Sequence, residues 1–222
     1  MLRDFELIDV CHTIDHGMIT YKGLPGPVIS DYLTREESRS RYAPGTEFHI
    51  GKIEMVANTG TYLDAPFHRY AEGKDLSQLS LASIANLESI VVRVSNSSEK
   101  NLEVSLFKHL DVQDQAVLIH TGWDIHWGHE QYFEGHPFLT SAVARFLVEG
   151  GAKLVGIDSL NIDDTRDLSR PVHSILLGAG IPIVEHLCNL GALPDEGFKF
   201  FAVPVKVKGM GTFPVRAFGL IK

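Results

Sequence analysis

Carboxylate and imidazole side chains brought to one point do one of two things: they hold a divalent cation or they move protons. In this chain the densest such stretch is residues 58–68, NTGTYLDAPFH, where Asp64 and His68 stand on either side of Pro66. Thr59 and Gly60 supply a turn with permissive dihedrals, and Pro66 drives the residue before it into an extended conformation. Along an extended segment Asn58, Tyr62 and Asp64 share one face, with His68 returning beyond Pro66. The same letters also describe a plain turn, because Asp and Asn favour turns through local hydrogen bonds. Further on, RPVHSILL carries His173 and IPIVEHL carries Glu185. A carboxylate closing so apolar a run is costly to bury unless a cation or donors meet it. At an exposed strand end, with His173 on an open helix face, neither residue would need a partner.

Two other clusters invite a metal reading. Asp158, Asn161, Asp163 and Asp164 in GIDSLNIDDTRD form a polar loop after a strand, without the Gly and terminal Glu of an EF-hand; loop structure is the preferred reading. His120, His126, His129 and His136 lie among Trp123, Trp127 and Tyr132, without HExxH or paired-Cys spacing. That composition suits an aromatic pocket wall or a subunit contact. No P-loop, dinucleotide fingerprint or GxSxG elbow is present.

The elements that must position these residues can be read in order. FELIDVCHTI reads as a strand, followed by a Pro/Gly-punctuated loop and a polar stretch, TREESRSRYAPG, suited to a flap. EFHIGKIEMVA alternates as a strand running into the turn at Thr59 and Gly60. DLSQLSLASIANL has helical spacing with Asp75 or Ser77 as cap, and ESIVVRVS is a strand. QAVLIHTG, KLVGID and IPIVEHL are strands; LTSAVARFLVEGGA and RPVHSILLGAG are helices, with Thr140 capping the first and Pro171 in the first turn of the second. FKFFAVPVKVKGMGTFPVRAFGLI reads as two strands about a Gly-rich turn, with Pro204 and Pro214 at edges or bulges. This order predicts an α/β domain, a mixed β-sheet with outer helices, spanning 1–222 as one unit.

Composition narrows the function. The chain has 222 residues, 44% of them hydrophobic, and a net charge of −8 with no basic block. That excludes an electrostatic footprint for nucleic acid or anionic membrane and favours a small-molecule partner. Two cysteines, Cys11 and Cys188, no apolar run near the roughly 20 residues of a membrane span, and no leader pattern in MLRDFELIDV lead to a cytoplasmic expectation.

The stretch NTGTYLDAPFH resembles the signature of the cyclase family of metal-dependent hydrolases, His-x-Gly-Thr-His-x-Asp-x-Pro-x-His, a family that includes bacterial kynurenine formamidases and isatin hydrolases. IDVCHTIDHGMITYKGLPGP, VLIHTGWD, GIDSLNID and RPVHSILLGAGIPIVEHLCNL resemble its other segments. The resemblance implies a swivelling β/β/α domain, a homodimer or tetramer, and hydrolysis of an amide or cyclic amide, as in arylformamidase and tryptophan catabolism. It assigns Asp64, His173 and Glu185 as metal ligands, Glu185 also bridging, and His68 as the catalytic acid and base. Asn58 and Tyr62 stand where two imidazole ligands are usual. An Asn carbonyl binds zinc weakly, and a Tyr oxygen must first lose a proton with a pKa near 10. One zinc or manganese ion is therefore expected rather than two, with His49 or His12 as replacement ligands of lower standing. Phe67, Trp123 and Tyr132 are candidates for packing a planar substrate. A one-metal hydrolase or dehydratase of another small compound and a non-catalytic binding protein are the alternatives.

Overall fold

The computed structural model describes residues 5–95 and 99–222; the first four residues of the N-terminal segment lie outside it. In chain order the strands are β1 (Glu6–Asp9), β2 (Val28–Leu33), β3 (Ile50–Glu54), β4 (Tyr62–Asp64), β5 (Leu87–Arg93), β6 (Asn101–Leu102) and β7 (Ala116–His120). They continue with β8 (Phe138–Leu139), β9 (Leu154–Ile157), β10 (Ile183–Glu185), β11 (Phe198–Phe201), β12 (Thr212–Pro214) and β13 (Phe218–Ile221). The helices are α1 (Arg35–Ser38), α2 (Ser141–Glu149) and α3 (Pro171–Gly178).

Nine strands form one mixed sheet in the order β1-β13-β11-β5-β7-β9-β10-β4-β12. The middle four, β5, β7, β9 and β10, are parallel, and antiparallel strands extend both sides. The expected mixed α/β sheet is thus present. Its central strands read as unbroken apolar runs because both faces are covered. Val117, Ile119, Val155, Ile157 and Ile183 point into one core with Val143 and Leu147 of α2 and Leu176 of α3. Leu118, Leu154 and Val184 point to the other face, against Leu63, Leu187, Phe198 and Phe200.

Helix α2 presents Val143, Ala144 and Leu147 to the sheet and stops at Gly150 and Gly151, the latter at φ 79°. Thr140 takes the capping backbone conformation, but its side chain makes no capping bond. Pro171 opens α3, as its fixed φ allows.

Three readings need correction. The segment DLSQLSLASIANL forms no α-helix: the Asp75 carboxylate accepts from the backbone N–H groups of Ser77 and Gln78, and a single 3₁₀ turn follows at Leu81–Ser83. Asp and Ser there satisfy the backbone locally and compete with helix. Strand β3 does not run on into β4; it pairs only with β2, as a separate two-stranded arm. The C-terminal stretch gives three strands, because β12 leaves its neighbours to pair with β4. The polar stretch after β2 contains α1, closed by a capping box between Thr34 and Glu37.

Candidate active site

Strand pairing assembles the site. Register places Tyr62 of β4 opposite Glu185 of β10, and Asp64 opposite Thr212 of β12. Helix α3 brings His173 over the same point. Asp64, Glu185 and His173 are all buried. His173 Nε2 lies 3.6 Å from Asp64 Oδ2 and 3.6 Å from Glu185 Oε1. His68, on the 3₁₀ turn Pro66–His68 after β4, is the open member: its side chain is 37% exposed and faces a cavity of about 430 Å³.

Each side chain is fixed by hydrogen bonds that also set its protons. Asp163 Oδ2 sits 2.7 Å from His173 Nδ1, and the same carboxylate accepts from the N–H groups of Val172 and His173 at the start of α3. Nδ1–H therefore donates to Asp163, and Nε2 faces Asp64 and Glu185. Burial opposes a charge on His173, yet Glu185, Asp163 and Asp64 outweigh it and raise its pKa to about 10. Burial pushes Glu185 up to about 7. Two buried carboxylates and one imidazole competing for protons make a place that a cation would relieve.

The fit to a divalent ion can be judged atom by atom. Asp64 Oδ1 accepts from Thr212 Oγ1 at 2.5 Å, but Asp64 Oδ2, fully buried, has no hydrogen-bond partner among the described residues. A buried oxygen of this kind is rare unless something absent from the protein satisfies it. Spacings of 3.6 Å between ligand atoms are close to the edge of about 3.4 Å expected for a tetrahedron at about 2.1 Å per bond. Asp64, His68 and His173 offer ligand atoms within 4.8 Å of one another, a grouping that leaves out Glu185, whose 3.6 Å spacing is to His173. These donors fit a divalent metal.

Tyr62 is the departure with a structural account. It is 2% exposed; burial, then Glu185 and Asp64, holds its pKa well above 10, so it is a neutral donor, not a phenolate. Its hydroxyl donates to Glu185 Oε2 at 2.8 Å, His186 Nε2 stands 3.3 Å away, and Asn58 lies beside it on the cavity lining. Glu185 Oε2 also accepts from Asn161 Nδ2 at 3.3 Å, while Oε1 accepts from the N–H of Ile162 at 2.7 Å. One lone pair of this carboxylate is left, on Oε1, on the side of His173.

Sequence reasoning missed His186, Thr212 and the orienting role of Asp163. His186 is fully buried in a left-handed conformation (φ 56°), and burial, then His12, lowers its pKa to about 3. Its Nδ1 lies 2.8 Å from the Tyr132 hydroxyl. A single proton order satisfies this row: Tyr132 donates to His186 Nδ1, His186 Nε2–H to Tyr62, and Tyr62 to Glu185. Adjacency to Glu185 was the signal available for His186; Thr212 offered none.

The aromatic expectations do not hold. Tyr132 and Trp123 are core residues, with Trp123 Nε1 donating to the Tyr132 carbonyl, and neither lines the cavity. Phe67 also lies outside it, because the turn at Pro66 faces His68, not Phe67, toward the opening. His49 pairs with Asp31 beside the β2–β3 arm and His12 stacks on Trp127, so neither joins the ligand cluster. Asp158 ties β9 to β7 by accepting from the Thr121 and Gly122 N–H groups.

The Cyclase family model, described as "Putative cyclase", matches residues 8–164. The chain belongs to the cyclase family. It is 29% identical to a kynurenine formamidase of Bacillus cereus, over 97% of this chain and 98% of that one. Among solved structures it superposes on a potential metal-dependent hydrolase with cyclase activity, 25% identical, with a TM-score of 0.80 over 99% of both chains. Isatin hydrolase A from Labrenzia aggregata shares the fold at 20% identity, with a TM-score of 0.83 over 98% of this chain and 94% of that one. This chain is a cyclase-family hydrolase. Among the described residues no helix is long and apolar enough to cross a membrane.

Proposed function

We propose that this chain hydrolyses small arylformamides or ring amides with one divalent ion, zinc or manganese, held by Asp64, His173 and Glu185. The observation that carries the reading is the buried Asp64 Oδ2, which accepts no hydrogen bond among the described residues and faces His173 Nε2 at 3.6 Å. A divalent ion bound there supplies Lewis acidity and water activation.

The chain's own residues account for the rest. With Asp64 ionised, Thr212 gives its one O–H to Asp64 and accepts at 2.9 Å from His68 Nδ1–H, which leaves His68 Nε2 basic. His68 Nε2 takes the proton of the attacking water and delivers it to the departing nitrogen. Water thus adds hydroxyl to the carbonyl carbon, the C–N bond breaks, and formate and an amine leave, or a ring amide opens to a carboxylate and an amine. Asp163 fixes His173, and Tyr62, as a neutral phenol, holds Glu185. The Tyr62 and Asn161 donors on Glu185 Oε2 support a single ion, since that oxygen has no lone pair left for a second.

Purified protein should contain about one equivalent of zinc or manganese, hydrolyse N-formylkynurenine or an isatin-type ring amide, and lose that activity to chelator and to His68→Ala. A chain that takes up no divalent ion would sink the reading. The closeness of His68 to Asp64 and His173 favours a second assignment, His68 as a ligand; in that case His68→Ala lowers metal content as well as rate. The exposed apolar residues Val28, Ile29, Tyr32, Ile50 and Ile53 on the β2–β3 arm support a homo-oligomer, and cytoplasmic location stays part of the proposal.

A further inference from the structure

Two arginines line the cavity that exposes His68, His173 and Glu185. Arg69 follows His68 in sequence, and Arg170 precedes the first residue of α3; both line the cavity. They gather on the first turn of α3. Arg69 Nε donates to Ser174 Oγ at 3.2 Å, and the N–H of Ser174 donates to the Arg170 carbonyl at 3.0 Å. Arg170 is half-buried and held in a left-handed backbone conformation, φ 47° and ψ 60°. A non-glycine residue there stores strain, of the kind that persists where the fold needs a side chain aimed. Its Nη1 donates to the Asp164 carbonyl, and Nη2 reaches the Tyr21 hydroxyl at 3.4 Å, so both contacts go to neutral oxygens.

Neither guanidinium has a carboxylate partner among the described residues. The neighbouring cations differ: Arg166 is paired with Asp164, and Lys22, also on the lining, with Glu130 at 2.8 Å. An Arg fork left without an anion inside a concave site is suited to a planar, bidentate carboxylate. Among the described residues Glu185 is the only carboxylate on the lining, and it is already engaged by Tyr62, Asn161 and Ile162. The cavity therefore offers two charges to a substrate carboxylate and none to a substrate ammonium.

Resting on the amide-hydrolase reading above, we infer that Arg69 and Arg170 select amides that carry a carboxylate and no ammonium group. They are specificity-determining residues of this site. The carboxylate would lie on the α3 side, with the scissile carbonyl toward His68.

The test pairs 2-formamidobenzoate with its neutral methyl ester, and both with the zwitterion N-formylkynurenine. The metal-loaded enzyme should favour the anion over the ester by about tenfold or more in kcat/KM, as a charge-assisted contact implies, and over the zwitterion as well. The preference should shrink with added salt. In Arg69→Gln/Arg170→Gln the ratio of kcat/KM for the anion to that for the ester should fall to about one, whatever rate loss the two substrates share. Calorimetry with benzoate and benzamide, on metal-loaded and on chelator-treated protein, reads the same contact without turnover and separates it from carboxylate binding to the ion. Benzoate binding that survives chelator and is lost in the double variant supports the inference even if no amide is hydrolysed, an outcome that overturns the hydrolase reading alone. Equal rates on anion and ester, a double variant that slows both alike, a zwitterion preferred to the anion, or benzoate bound no better than benzamide would each overturn the inference and leave the hydrolase reading standing.

Discussion

A single phenol decides how the carboxylate beside it can be used. Tyr62 stays protonated because it is buried between acids, and its hydroxyl takes the Glu185 oxygen that a second cation would need. Replacing both departures, Asn58→His with Tyr62→His, removes that donor and supplies two imidazoles. We expect metal content to rise from about one to about two ions per chain, measured by elemental analysis. Content that stays at one would show that Tyr62 does not set the number. Asp163 acts through His173, by accepting from its Nδ1–H at 2.7 Å. Asp163→Asn loses the charge that keeps that tautomer, and metal affinity should fall about 10–100-fold, the range seen when the partner of a ligating His is changed. A metal titration of wild type against variant measures it, and unchanged affinity would deny Asp163 this role.

The elements hold the site by close backbone approach. Gly211, just before β12, leaves so little room that a Cβ would stand 2.4 Å from the backbone nitrogen of His68 and 2.5 Å from its Cα. The Gly211 carbonyl also accepts from Ala65 at 2.7 Å, so the strand cannot retreat without losing that bond. Gly211→Ala should therefore displace His68. We expect turnover to drop while metal content stays near wild type, with a stability loss of about 1–3 kcal/mol, typical of overpacking. Turnover equal to wild type would mean that the His68 turn adapts freely. Thr212, next in the chain, fixes the His68 tautomer only because β12 pairs in register with β4.

For the whole molecule, ion binding and folding are coupled. An ion that binds only the folded chain stabilises it in proportion to its excess over the dissociation constant, roughly 2.7 kcal/mol at a hundredfold excess. Chelator should thus lower Tm, and Asp64→Asn should reduce that dependence; a Tm indifferent to chelator in the wild type would argue against a resident ion. Acid sensitivity has a separate source in His12, stacked on Trp127 at 3.9 Å. Burial, opposed by Asp124, lowers its pKa from 6.5 to about 4 in the folded state. The unfolded chain binds that proton first, so the contribution of His12 is fully present above pH 6.5 and declines as pH falls toward about 4. His12→Phe keeps the stacking and removes the titration. Denaturant unfolding at neutral and mildly acidic pH should show a smaller loss in the variant, and equal losses would place the sensitivity elsewhere.

What could be read along the chain was what depends on neighbours in sequence. The strands buried on both faces, α2 and α3 with their Gly and Pro boundaries, and Asp64 and His68 about Pro66 all announce themselves through side-chain period or backbone restriction. The helix expected after Asp75 failed on the same local ground, because Asp75 and Ser80 bond their own turns. Sequence alone also supplied His173 and Glu185, as polar residues in apolar runs, although not their meeting. That meeting, and every proton assignment in the site, belongs to tertiary structure. Tyr62 faces Glu185 across a register between segments 123 residues apart, and Thr212 reaches Asp64 across 148. Such contacts are set by which strands become neighbours, a choice made by burial over the whole sheet. The chain's letters therefore named the chemistry available, and the packing of β4 between β10 and β12 decided which oxygen of Glu185 is taken and which oxygen of Asp64 accepts no hydrogen bond.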